Sequence, residues 1–271
     1  MRSILPHGAQ SSGWRRMMYR LLTASLVLGL YHSSAQSQGA IDDDADKLLH
    51  AMSSYLGGLK SATFDYDTDQ EIVDRQGQKL QYSASGTIAI SRPDKLHVTR
   101  KGPFADVEAI LNGKSISLYG RGLNVYAQME SPEATIDAGL EEFRMSTGLD
   151  AAGADLLAAD PYALLTETAE EGRFVGNAFV GGVECDHLAF RTDTVDWQIW
   201  IRKGEQPLPV KYVITSKWVT GAPEYSVRLT NWNVDPAIDK SVFEFSPPAG
   251  ARKIEQIGSD AIGDVILEDA Q

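Results

Sequence analysis

The chain has 271 residues, 43% of them apolar, with 25 basic and 37 acidic side chains giving a formal charge of −12. That length suits one domain with a substantial core. The acidic balance excludes a basic surface for phosphate backbones, so nucleic acid is not an expected partner. No window reaches the roughly 18 successive apolar residues of a membrane-spanning helix, and the one cysteine, Cys185, excludes an intramolecular disulfide.

Arg15, Arg16 and Arg20 precede an apolar run at residues 21–30, which is followed by small residues at Ser33 and Ala35. A basic stretch, a short apolar run and small residues before a cleavage point form the layout of a secretory signal. Residues 1–35 are expected to be that signal, read by the general secretory or the twin-arginine route, with no transmembrane segment left after cleavage. They hold four of the 25 basic side chains and no acid, so 21 basic against 37 acidic remain, about −16.

Asp42, Asp43, Asp44 and Asp46 then open a stripe of Leu48, Leu49, Met52, Tyr55, Leu56 and Leu59. This spacing is one face of an amphipathic helix, with acids at the end where the helix dipole favours them. The acids lack the spacing of a calcium loop, so dipole compensation is the expected role. From residue 61 to residue 128 apolar and polar residues alternate, the mark of half-buried strands. Breaks fall at residues 75–78, at Arg92-Pro93-Asp94, and at Asn112-Gly113, a strong signal for a tight hairpin. Alternation then lapses over residues 132–148 and 153–168. Two short helices are expected there, the first with Ile136, Leu140, Phe143 and Met145, the second interrupted near Asp160-Pro161.

Residues 183–217 read as an antiparallel meander. In its middle run Val195, Trp197, Ile199 and Ile201 face one way, while Asp196, Gln198, Trp200 and Arg202 face the other. A further strand is expected over residues 225–234, a short ordered finish over 239–250, and a loosely attached tail over 251–271. The whole is a helix, about six strands, a helical insertion and about five strands. So long an antiparallel sheet must curl or close.

Catalytic patterns are wanting. His50, His97 and His187 have no metal-cluster spacing, and no HExxH, CxxC or Gly-x-Ser-x-Gly motif occurs. Cys185 and His187 share a strand face, where two packed residues are expected rather than a nucleophile and its base. Trp200, on the polar side of its strand, is expected either to cover the sheet exterior or to mark a partner surface, the first being the preferred reading. No cofactor and no enzymatic activity are expected.

The passage Leu59-Lys60-Ser61-Ala62-Thr63-Phe64 and the ending from Asp239 through Phe243, Phe245 and Pro247-Pro248 to Gly250 resemble the bacterial lipoprotein localisation carriers. Cys185-Asp186-His187-Leu188-Ala189-Phe190, Trp197-Gln198-Ile199-Trp200-Ile201 and Leu208-Pro209-Val210 are more similar to predicted periplasmic proteins of unknown function in that superfamily. The resemblance spans roughly residues 42–250. It implies a mainly β fold with some helix (α+β), a curved antiparallel sheet or incomplete β-barrel covered by the N-terminal and mid-chain helices. It also implies a periplasmic location and, as in the carriers, a space between sheet and helices that receives acyl chains. No residue role and no partner is carried over, because this chain departs from the carriers in length, in its helical insertion and through most of the sheet.

The expected organisation is thus a signal at 1–35, a single domain at 36–250 and a tail at 251–271. Two functions fit. In one, a soluble periplasmic protein holds a lipid or other apolar ligand in a groove lined by Leu49, Met52, Leu56, Trp197, Ile199 and Tyr212. In the other, the groove is filled by side chains and the protein meets an envelope protein partner through its surface.

Overall fold

The computed structural model describes residues 41–103, 106–148 and 152–255. The signal expected at 1–35 and the tail beyond residue 255 lie outside the described residues. Helix α1, Asp43–Gly58, begins where Asp42 caps it, the carboxylate accepting the Ala45 N–H at 2.6 Å. The other carboxylate oxygen accepts the N–H of Phe174 at 2.9 Å, so one side chain both starts the helix and fastens it to a strand. Asp42→Ala is expected to lower stability by about 1–2 kcal/mol, the scale of a lost N-cap. The check is a lower urea midpoint at unchanged slope.

Six strands follow: β1 Ser61–Val73, β2 Lys79–Ser91, β3 Lys95–Lys101, β4 Asp106–Asn112, β5 Ser115–Gly120 and β6 Val125–Glu130. The β1–β2 turn is made by Asp74, whose carboxylate accepts the N–H groups of Gln76 and Gln78 at 2.9 Å each. Asn112 faces Ser115 across the β4–β5 hairpin, and Gly113 supplies the positive φ of 66° that so tight a turn requires. β6 begins only at Val125. The turn after Gly120 runs on through Asn124, whose N–H reaches the Arg121 carbonyl at 3.2 Å, and leaves Leu123 exposed.

Helix α2, Ile136–Thr147, starts on a Thr135 cap and ends at Gly148 in the left-handed conformation. Ile136 is buried and Leu140 and Phe143 pack inward, but Met145 is exposed. Nine residues beyond Ile136 is half a turn round the helix, so Met145 points away from that face. The second helical stretch is broken as its proline predicts. A 3₁₀ turn, Ala154–Leu157, is followed by α3, Pro161–Thr166, with Pro161 at the first turn and Asp160 as its cap.

Five more strands complete the main run: β7 Glu171–Val180, β8 Val183–Arg191, β9 Val195–Arg202, β10 Pro209–Ser216 and β11 Glu224–Val234. After them the chain crosses the outer face of the early strands, where Phe243 is buried and Phe245 meets Tyr119 and Tyr126. The two-residue β12, Arg252–Lys253, then pairs in parallel with β6. The described strands form one sheet in the order β12-β6-β5-β4-β3-β2-β1-β11-β10-β9-β8-β7. The sheet is curved and does not close, so the expected incomplete barrel is what the chain builds. No described helix is long and apolar enough to cross a membrane.

The concave face has two halves. Over β7 to β10, α1 presents Ala45, Leu49, Met52 and Leu56 to Leu188, Phe190, Trp197, Ile199 and Tyr212, all in one cluster of buried side chains. Full burial contributes about 1.5–3 kcal/mol for each large apolar side chain, so this half is closed by strong packing. Over β1 to β5 the cover is α2 and the 3₁₀ turn, and the fit is loose.

Candidate ligand cavity

The inner face of β1 to β5 is laid out in aligned rows. One runs Ala62, Ile90, Leu96, Leu111 and Ile116, the next Phe64, Ile88, Val98, Ala109 and Leu118. A third runs Tyr66, Gly86, Arg100 and Val107. Above them stand Leu140 and Phe143 of α2 with Leu156 and Leu157 of the 3₁₀ turn, and at the side Ile214, Tyr225, Val227 and Leu229. Between sheet and cover lies a partly open cavity of about 800 Å³. Protein interiors ordinarily hold few voids larger than a water, whereas small-molecule sites run from roughly 300 to 1,000 Å³.

Small residues keep the space open. Ala109 puts a single methyl into the middle of its row, and Ala152, Gly153 and Ala154 face the sheet from the cover. Gly139 lets α2 approach the sheet, because a Cβ there would stand 2.7 Å from a Leu111 methyl.

The third row is polar and tightly built. A Cβ on Gly86 would stand 1.9 Å from the Thr99 carbonyl oxygen and 2.6 Å from the Tyr66 ring. Only glycine lets Tyr66 lie across β2 and donate its hydroxyl hydrogen to the Thr99 carbonyl at 2.8 Å. Arg100 donates to Thr68 Oγ1 at 3.3 Å and also hydrogen-bonds the Tyr66 side chain. The Thr68 hydroxyl in turn donates a hydrogen bond to the Ala84 carbonyl at 3.3 Å. Burial pushes the Tyr66 phenol up to about 12 against the pull of Arg100, so it remains protonated across the physiological range. At the other end of β1, Glu71 accepts from Lys79 Nζ at 2.8 Å and from the Glu224 N–H at 3.0 Å, which lowers its carboxyl below the usual range.

The residues expected to line the groove lie elsewhere. Leu49, Met52, Leu56, Trp197, Ile199 and Tyr212 come together as expected, but each is at most 4% exposed and none borders the 800 Å³ cavity. Phe190 stacks on Trp197 with ring centres 4.0 Å apart, and Tyr212 meets that indole edge-on at 5.7 Å. These side chains fill the half of the concave face beneath α1. Leu56 alone touches a void, of about 10 Å³, no more than a single water occupies.

On the outer face Cys185 is fully buried, its thiol donating to the Val183 carbonyl at 3.4 Å and pushed up in pKa by burial. His187 Nε2 lies 3.0 Å from Gln198 Oε1, and its ring stacks on Trp200 at 4.1 Å. Lys211 Nζ sits 5.0 Å from the same indole centre. Burial lowers the imidazole's pKa. The pair is packed as expected, and Trp200 covers the sheet exterior. Asp46 accepts from the Tyr162 hydroxyl, which ties α1 to α3.

A family model described as "Predicted periplasmic protein (DUF2092)" matches residues 45–257. The chain belongs to this family. The description agrees with the expected periplasmic location, and the matched span covers both halves of the sheet and the helical cover. No curated protein matches the chain. Solved structures of similar fold include an uncharacterised conserved protein from Thermus thermophilus, at 9% identity and a TM-score of 0.47, covering 79% of this chain and 99% of that one. The lipoprotein LppX of Mycobacterium tuberculosis is 12% identical with a TM-score of 0.42, over 73% of this chain and 98% of its own. A LolA superfamily protein from Nitrosomonas europaea is 8% identical with a TM-score of 0.39, over 74% and 97%.

Proposed function

We propose that this family member is a periplasmic carrier or sensor that holds an apolar chain, foremost the acyl chain of a lipid, between β1–β5 and the α2 cover. The observation that supports the reading is the cavity itself, about 800 Å³ and walled mainly by aliphatic side chains. Each methylene moved from water into such a site gains about 0.8 kcal/mol. Ten of them give about 8 kcal/mol, the scale of micromolar binding before ordering costs. The rival reading, a filled fold acting on an envelope protein partner, requires an interior without such a void, and the cavity counts against it.

Native mass spectrometry of protein expressed with export tests the proposal. The wild type is expected to carry a passenger of lipid mass. Ala109→Trp, which fills the middle of the cavity, is expected to lose at least about nine-tenths of that passenger while still unfolding in one cooperative transition. A clean apo mass for the wild type, with no thermal shift from any lipid class, would overturn the carrier reading.

A further inference from the structure

The mouth of the cavity carries apolar surface of its own. Of the large apolar side chains that stand in solvent among the described residues, Val219 is the one that also lines the cavity. Its neighbour Trp218 is the most exposed of that set, at 75%. Both sit on the loop between β10 and β11, which meets the cavity through Ser216, Val219 and Pro223. The register places this loop at the same end of the sheet as the β1–β2 and β5–β6 turns, the second of which leaves Leu123 exposed.

A lone exposed aromatic is ordinary on a protein surface, but this ring is held in place. Its indole N–H donates to the Asp193 carbonyl at 2.8 Å. Lys217 Nζ donates to the Thr192 carbonyl at 2.7 Å and lies 5.6 Å from the ring centre. On the other side Lys79 Nζ donates to the Ala222 carbonyl at 3.3 Å. Gly221, at a φ of 80°, lets the loop lie on Val73, where a Cβ would stand 2.9 Å from a methyl. The loop is thus braced against two turns while its two largest apolar side chains face solvent. An indole with a satisfied N–H and an exposed apolar body suits the boundary between lipid headgroups and acyl chains. Charge around it is close to balanced, with Lys217 3.8 Å from Asp196 and Lys79 2.8 Å from Glu71. Apolar contact, not attraction to anionic headgroups, is what the loop offers.

We propose that the β10–β11 loop is a membrane-contact element: Trp218 and Val219 enter the headgroup boundary of a lipid bilayer and set the cavity mouth against it. A passenger then moves between bilayer and cavity past Val219 without crossing water. The passage of cargo rests on the carrier reading above, whereas the bilayer contact itself does not.

Flotation of the exported, delipidated chain with phosphatidylcholine vesicles, with and without added phosphatidylglycerol, tests the proposal. The wild type is expected to float with the phosphatidylcholine vesicles at least as well as with the anionic ones, and equally at low and high salt. Trp218→Ser combined with Val219→Ser is expected to lower the bound fraction about tenfold. Both side chains stand in solvent, so the far-ultraviolet circular dichroism of this variant should match that of the wild type. With lipids brominated on their chains, wild-type tryptophan fluorescence is expected to be quenched on binding. Trp218→Phe is expected to keep most of the binding and lose most of the quenching, a result that a merely structural role of the indole would not produce. Binding that requires phosphatidylglycerol and disappears in salt, or that persists in the double variant, overturns the loop as the contact. A wild type that floats with neither vesicle also overturns it and leaves the exposed pair to a protein partner. In each of those cases a passenger of lipid mass in the native spectrum keeps the carrier reading standing. Flotation through Trp218 by a protein that never carries a passenger keeps the membrane contact and removes the passage of cargo.

Discussion

Gly86→Ala is expected to be among the most damaging single substitutions in the sheet, costing about 3 kcal/mol. The added methyl would lie 1.9 Å from the Thr99 carbonyl oxygen and 2.6 Å from two atoms of the Tyr66 ring. Side chains can turn aside, but the carbonyl belongs to the neighbouring strand, and moving it disturbs the β2–β3 ladder on both sides of the Gly86–Arg100 pairing. Overpacking of this kind costs about 1–3 kcal/mol and more where backbone must move. Removing the ring as well, in Gly86→Ala with Tyr66→Ala, is expected to recover little, since the carbonyl clash remains. Urea denaturation of the two variants and the wild type provides the check. A loss below about 1 kcal/mol for Gly86→Ala would show that the floor of the cavity is far more compliant than its geometry indicates.

The second large effect distinguishes filled core from cavity wall. Trp197→Ala removes an indole that is 4% exposed, stacked on Phe190 and abutted by Tyr212. Its expected cost is about 3–5 kcal/mol, the range for a large aromatic taken out of a close-packed site. Val98→Ala, on the cavity wall, is expected to cost no more than about 1 kcal/mol, because part of its surface faces space rather than neighbours. Ligand retention per folded molecule should move the other way, unchanged in Trp197→Ala and altered in Val98→Ala. Denaturation midpoints and native mass spectra on the same pair of variants measure both. Equal costs would mean that the two halves of the concave face are packed alike.

Much of the fold was legible because its signals are local. Asp42 before a 3.6-residue stripe, Asn112-Gly113 between alternating runs, and Pro161 inside a helical stretch each state their structure within a few residues. The division of the concave face is different. Leu96 and Val98 alternate in the sequence just as Ile199 and Ile201 do, yet the first two border a void and the second two are sealed. Alternation reports which face a residue occupies and is silent on how closely the cover fits. That depends on volumes contributed from distant positions, among them Ala109, Gly139 and Gly153. The six residues expected to line the groove were chosen for apolarity on an inner face, and the largest of them are the ones that pack best. Arg100 was hidden for a related reason. In Thr99-Arg100-Lys101 it reads as one more charge at the end of a strand, and only the pairing with Gly86 and Val107 turns it inward.

The hydrogen-bonded ladder ends at β7 on one side and at β6 with its short partner β12 on the other. What completes the circumference is mainly side-chain packing, α1 against β7 and α3, and α2 and α3 against the 3₁₀ turn between them, with only isolated main-chain bonds such as that from the Asp42 N–H to the Gly172 carbonyl at 2.9 Å. In a closed barrel the girth follows from strand number and stagger, and widening it means breaking main-chain bonds. Here the girth is a matter of how far one layer slides over another. On the carrier reading proposed above, passengers of different bulk would be accommodated at the expense of dispersion contacts, each individually small, while the backbone pairing of the sheet stayed the same.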